Sequence, residues 1–176
     1  MAVQPNVIAA GLKDGKIKTS DGSLYDIHAI VEANGEPQQD EIEVKGDDEL
    51  KGTFISNKRE ELTIKANSLP FEVIQAITGN TVSSSATGME IAMGTESEMN
   101  PPEVEVQAFS NALDTDNTAL TLKKTWHKVT VKSVLLSQAG EQEFNIEMTC
   151  VAYQTDEDIE GAALSSKRIA TVEVYS

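Results

Sequence analysis

Cysteine is almost missing from this sequence, and histidine nearly so. One thiol, Cys150, leaves no intrachain disulfide framework and favours folding in a reducing compartment; beside only two histidines it supplies too few ligands for a Cys/His zinc site. Aromatic residues make up 5% of the chain and Trp126 is its only indole, so a glycosidase cleft with sugar-stacking walls is disfavoured. Basic residues are scarce as well. The 14 Lys and Arg stand against 29 Asp and Glu, a formal net charge of −15, which argues against wrapping a nucleic-acid backbone. No apolar run approaches the length of a membrane helix, and Met1-Ala2-Val3-Gln4-Pro5 carries no signal-peptide pattern. A glycine-rich phosphate loop opening a helix is missing, as is a glycine-flanked serine elbow. An enzyme is therefore not expected, and no cofactor is expected.

What is present is alternation. At 176 residues the chain is long enough for one domain with a real core. Phe144, Ile146, Met148 and Cys150 alternate with Glu143, Asn145, Glu147 and Thr149, as in a half-buried antiparallel strand. Tyr25, Ile27, Ala29 and Val31 repeat the pattern, as do Val104, Val106 and Ala108 against Glu103, Glu105 and Gln107. Leu120 with Leu122, then Val129, Val131 and Leu135, predict two further strands; Leu62 and Ile64 predict a short one, and Arg168–Tyr175 the last. With turn residues at Asp21-Gly22, Asn34-Gly35 and Ala139-Gly140, the expectation is a mainly β fold: an antiparallel sandwich or barrel of two packed sheets.

One segment has a different period. Asn67-Ser68-Leu69-Pro70 supplies helix-entry residues, Phe71, Ile74 and Ile77 recur at helical spacing, and Gly79 suits the position after the last turn. This predicts a short helix packed through Phe71, Ile74 and Ile77. The rest is polar and irregular: 34–52, 83–102 and 156–161. Loops of that length in a compact domain are usually functional. A single domain over 1–176 is expected, with an N-terminal arm over about 1–12, a long hairpin or loop over about 34–52 and a C-terminal strand or arm over about 164–176.

Candidate chemistry is thin. His28 and His127 lie in separate strand-like segments, each read as an edge histidine, and Cys150 reads as a buried structural thiol. Asp114-Thr115-Asp116-Asn117 has the start of a calcium loop without its glycine or distant glutamate, and Gly46-Asp47-Asp48-Glu49 reads as a solvated loop; no metal is expected at either. Carboxylate pairs are the informative feature. Glu41 with Glu43, and Glu103 with Glu105, are spaced i, i+2 and fall on one face of a strand. Each is either a solvated sheet face or part of a negatively charged wall.

The runs Gly46-Asp47-Asp48-Glu49-Leu50-Lys51-Gly52-Thr53-Phe54 and Leu69-Pro70-Phe71-Glu72-Val73-Ile74-Gln75-Ala76-Ile77-Thr78-Gly79, then Lys124-Thr125-Trp126-His127-Lys128 and Phe144–Met148 running into Ala152-Tyr153-Gln154-Thr155, resemble the major tail tube protein of bacteriophages with long, non-contractile tails. The likeness covers roughly residues 24–172 and rests on order and spacing, not on a catalytic signature. It implies a structural virion protein with two antiparallel sheets and a flanking helix, forming hexameric rings stacked into a tube. It implies host cytoplasm before assembly and the phage tail afterwards. Implied partners are other copies of the chain, a tape-measure protein, tail-terminator and tail-tip proteins, and double-stranded DNA in transit without specific binding. Under this reading Glu41, Glu43, Glu103 and Glu105 are lumen-wall candidates. Gln38, Gln39, Asp40, Asp47, Asp48 and Glu49 are assembly-loop candidates. An acidic wall would conduct a duplex without binding it. The alternatives are the inner tube of a contractile tail or related secretion machine and, further off, a carbohydrate- or surface-binding β-sandwich module.

Overall fold

The computed structural model of the chain describes residues 8–27, 30–46, 49–114, 116–137 and 145–175. In chain order they form β1 (Ile8–Thr19), β2 (Leu24–Ile27), β3 (Ile30–Gly46), β4 (Glu49–Ala66), α1 (Phe71–Thr78), β5 (Val82–Ser85), β6 (Gly88–Ile91), a 3-10 turn (Glu96–Met99), β7 (Glu103–Leu113), β8 (Ala119–Ser137), β9 (Asn145–Tyr153), β10 (Thr155–Glu157), β11 (Ala163–Arg168) and β12 (Ala170–Tyr175). The fold is mainly β with one short α-helix, and every described strand pairing is antiparallel. Seven strands run in the order β2-β1-β7-β8-β9-β4-β3, and β12 adds to β8; β5–β6 and β10–β11 are separate two-stranded ribbons.

The large sheet curls. Its end strands, β2 and β3, are consecutive in sequence, and β1 touches β3. Gly15 permits that approach, since a Cβ there would lie 2.8 Å from Ile30 Cδ1. The curled sheet encloses one continuous apolar cluster that includes Ile17, Leu62, Val106, Trp126, Met148 and Cys150. The same cluster takes in Val73, Ile74 and Ile77 from α1, so the helix is packed on the core face of the sheet.

The helix follows its sequence signals with one change. Pro70 opens it, its carbonyl accepting from the Val73 and Ile74 amides at 3.0 and 3.3 Å. Gly79 closes it in the left-handed region (φ 73°), its N–H donating to Gln75 O at 2.9 Å. Ile74 and Ile77 are buried as expected, but Phe71 is 37% exposed and Val73 takes its place. The reason is angular. At about 100° per residue, Val73, Ile77, Ile74 and Thr78 form a stripe whose centre lies about 90° from Phe71, so Phe71 falls outside it.

Other expectations change for local reasons. The two strands predicted around Leu120–Leu122 and Val129–Leu135 are one, β8, of 19 residues. Its inward residues run Trp126, Val129, Val131, Val134, because register slips against β7 and β9 twice break the alternation. Asn34-Gly35 is no turn: both residues lie inside β3, paired with Thr63 and Leu62. The Glu60 side chain lies over this glycine: a Cβ at 35 would come within 1.8 Å of Glu60 Oε1 and force that side chain to move. Leu62 and Ile64 belong to an 18-residue strand, not a short one. Residues 8–12 of the expected N-terminal arm are part of β1, and of the last segment only Ala170–Tyr175 forms β12, Arg168 ending β11. Residues 138–144, which include Ala139-Gly140 and Phe144, lie outside the described residues.

Candidate functional site

The arm is the most conspicuous feature. β3 and β4 pair along their whole length, from Ile30 with Ala66 to Gly46 with Glu49, but β9 accompanies β4 only from Arg59 to Ala66. From Lys58 to Glu49 the strand has β3 as its only described partner. Ten residues of strand make a two-stranded ribbon roughly 30 Å long beyond the sheet. Pro37 is tolerated in β3 because that strand ends the sheet order. A clamp marks the base of the arm. Register slips between Gln38 and Asp40, Asn57 adopts a positive φ of 50°, and the Asp40 carboxylate accepts from Asn57 Nδ2 and Arg59 Nη1, both at 3.1 Å. These bonds, Asn57 first and Arg59 second, hold the Asp40 carboxyl below its usual value. Of the assembly-loop candidates, Gln38, Gln39 and Asp40 thus sit at the base of the arm. Glu49 lies at its far end, and Asp47 and Asp48 are outside the described residues.

The four glutamates are not brought together. Glu41 and Glu43 are on the arm, paired with Ile55 and Thr53, whereas Glu103 and Glu105 are on β7. β3 and β7 are not neighbours in the sheet, and no described strand pairing joins the two glutamate pairs. Glu41 is exposed and accepts from Gln39 Nε2 at 2.9 Å; Glu103 is exposed and pairs with Lys128 at 3.1 Å. Glu105 departs from the picture of an open wall, being only 6% exposed. Its Oε1 accepts from Gln107 Nε2 at 2.7 Å, and its Oε2 lies 3.4 Å from His127 Nδ1.

That burial comes from a strap across the polar face of the sheet. The β10–β11 ribbon reaches β1, where Lys18 pairs with Glu160, and it lies over part of β7 and β8, while β12 is β8's neighbour in the sheet. The hydrogen bond to Glu160, aided by the negative fields of Glu160, Glu105 and Asp158, raises the Lys18 ammonium above its ordinary value against the opposing effect of burial. His127, expected at an edge, is buried between neighbouring strands. Its Nε2 lies 2.7 Å from Thr171 Oγ1 on β12, and its backbone N–H donates to Ile169 O at 3.3 Å. Glu105, His127 and Thr171 form a row because β7, β8 and β12 are adjacent in the sheet. Its chemistry is that of a fastener, which ties the last strand to the sheet. Beside the row is a polar cleft of about 390 Å³. His28 lies outside the described residues.

A second ion pair sits on the core face. Lys124 Nζ lies 2.7 Å from Glu60 Oε1 and 4.4 Å from the centre of the Trp126 ring, so one ammonium serves a nearly buried carboxylate and an indole face. Cys150 is enclosed in the core, and burial pushes its thiol up to about 12. Asp114 Oδ1 accepts from the amides of Asp116 (2.9 Å) and Thr118 (2.8 Å), which accounts for that acidic segment as the β7–β8 turn. Among the described residues no group of three or more His, Cys, Asp and Glu is placed to hold a metal ion, and no helix is long and apolar enough to cross a membrane.

No family model matches the chain, and no curated protein matches it. The functional argument therefore rests on the arm, the strap and the exposed strand edges. Sequence reasoning missed the Glu105–His127–Thr171 row and the Glu60–Lys124–Trp126 group. The signal for the first was the alternation of Lys123, Thr125 and His127 against Leu122, Lys124 and Trp126.

Proposed function

We propose that this chain is the tube subunit of a long, non-contractile bacteriophage tail, assembling as stacked hexameric rings around a channel for DNA. The sequence resemblance over roughly residues 24–172 motivates this reading, and the β3–β4 arm is the observation that carries it. A two-stranded ribbon standing alone in water is marginally stable at best, and long unpaired strand edges invite association. An arm of this length gains its stability by lying on another copy. The exposed Val172 and Val174 on β12 and Ile55 on the arm suit the same purpose. A tape-measure protein would template assembly, terminator and tip proteins would close the ends, and duplex DNA would pass without specific binding. The net charge of −15 supports the last point, since a strongly acidic ring repels phosphate. The subunit would fold in the host cytoplasm and reside in the virion.

Excision of the arm tests the proposal. Glu41 pairs with Ile55, so replacing residues 41–55 with an Asn-Gly turn rejoins paired positions without disturbing β9. The shortened protein should melt close to the parent temperature and remain monomeric under conditions where the parent polymerises. Tubes of normal form from the shortened chain would refute the role given to the arm.

A further inference from the structure

β9 and β12 lie end to end on one flank of β8: β9 beside Val129–Ser137 and β12 beside Thr121–Trp126, with β7 on the opposite flank of both. β4 borders the outer edge of β9 only as far as Arg59, opposite Tyr153. Past that point β4 leaves with the arm while β12 stays on the sheet. The outer edge of β12 and the edge of β4 from Lys58 to Glu49 are therefore both without a described strand partner, and a wedge opens between them. Two cavities occupy its narrow end. One, of about 350 Å³, is lined in part by Asn57, Arg59, Tyr153 and Lys167. The other, of about 470 Å³, lies between Gln38, Lys58 and Ile169.

Charge identifies what fits. Arg59 is matched by Asp40, but neither Lys58 nor Lys167 has an ion-pair partner among the described residues. Two ammonium groups unmatched among the described residues flank the wedge, in a chain with twice as many acidic as basic residues. The exposed β12 side chains Val172 and Val174, 59% and 46% accessible, add an apolar strip along the same strand.

We propose that this wedge receives an extended, acidic segment of a second copy of the chain, added as a strand beside β12. Backbone hydrogen bonds along the open edge provide affinity, and carboxylates meeting Lys58 and Lys167 set the register. The inference rests on the self-assembly reading above and adds to it the acceptor site and the chemistry of the inserted segment.

Carbodiimide cross-linking tests it, because the reagent joins an amine to a carboxylate without a spacer. Full-length chains labelled with nitrogen-14 and nitrogen-15 are mixed, assembled, cross-linked and analysed by mass spectrometry, with assembly checked by electron microscopy. Mixed-isotope links from Lys58 and Lys167 to Asp or Glu are expected, and a dilute, unassembled sample should lack them. The double variant Lys58→Ala/Lys167→Ala, verified as folded by its melting curve, should need a roughly tenfold higher concentration to assemble. Assemblies in which neither lysine gives a mixed-isotope link, or a double variant that assembles at the parental concentration, would overturn the wedge while leaving the tube reading standing. A chain that stays monomeric at every concentration would overturn both.

Discussion

Replacing Gly35 with alanine would place a Cβ 1.8 Å from Glu60 Oε1, 2.6 Å from its Cδ and 2.9 Å from its Cγ. Elsewhere in a strand the change would stabilise the fold by about 0.4–1 kcal/mol, through the lost freedom of the unfolded chain. Here the whole Glu60 side chain must turn away, because three of its atoms are in conflict. It then gives up the 2.7 Å contact with Lys124 and leaves that ammonium over Trp126 without its counter-ion. The Glu60 side chain is 11% exposed and that of Lys124 35%, so the pair lies between a surface bridge, about 0–1 kcal/mol, and a fully buried one, about 3–5 kcal/mol when broken. A loss of about 2 kcal/mol, less the entropic gain, leaves Gly35→Ala destabilising by about 1–2 kcal/mol. In a Glu60→Ala background the three conflicting atoms are gone, and the same substitution should stabilise. Urea unfolding followed by the single tryptophan measures both, as the four corners of a double-mutant cycle. Gly35→Ala that stabilises the parent, or that costs the same in both backgrounds, would refute the steric and electrostatic account.

Three further outcomes are expected. Ile77→Ala should cost about 2–5 kcal/mol in urea unfolding, since Ile77 is fully buried, while Phe71→Ala should cost under about 1 kcal/mol; equal costs would mean that the helix stripe is misplaced. Cys150, held at about 12, should remain inert to an aromatic disulfide reagent at pH 8 and react fully in denaturant; rapid reaction of the native protein would contradict its burial. Glu98 has a carboxyl lowered first by the Asn80 amide, at 2.6 Å, and also by the Gly94 and Thr95 amides, so its contribution is fully present above the ordinary carboxylate pKa and disappears as pH falls through the lowered folded value. Below about pH 4, therefore, protection of the Gly94 amide against hydrogen exchange should fall before that of the β9 amides; simultaneous loss would show that Glu98 does not hold this segment.

What the sequence revealed, and what it hid, follows from the range of the interactions. The strand expected over 143–151 reads correctly from 145 on, because Ile146, Met148 and Cys150 are buried while Glu147 and Thr149 are not, so side-chain alternation and burial coincide there. Ile74 and Ile77 read correctly because their neighbours are within one helical turn. Two strands were expected where β8 is one, because its bulges shift the inward phase while the backbone continues. Gly35 resembled a turn residue because what lies over it, the Glu60 side chain, belongs to the facing strand. Glu105 resembled a solvated carboxylate for a similar reason: the strap that covers it comes from residues more than fifty positions further along the chain. Period-two patterning identifies which face of a strand is polar, but a polar face can still be covered by another segment.

Electron microscopy of the purified, concentrated protein in negative stain tests the central claim most directly. A tube subunit should give six-fold rings with a central stain-filled channel, or stacks of such rings of constant diameter. Featureless monomers over the whole accessible concentration range, or amorphous aggregates without a channel, would contradict it.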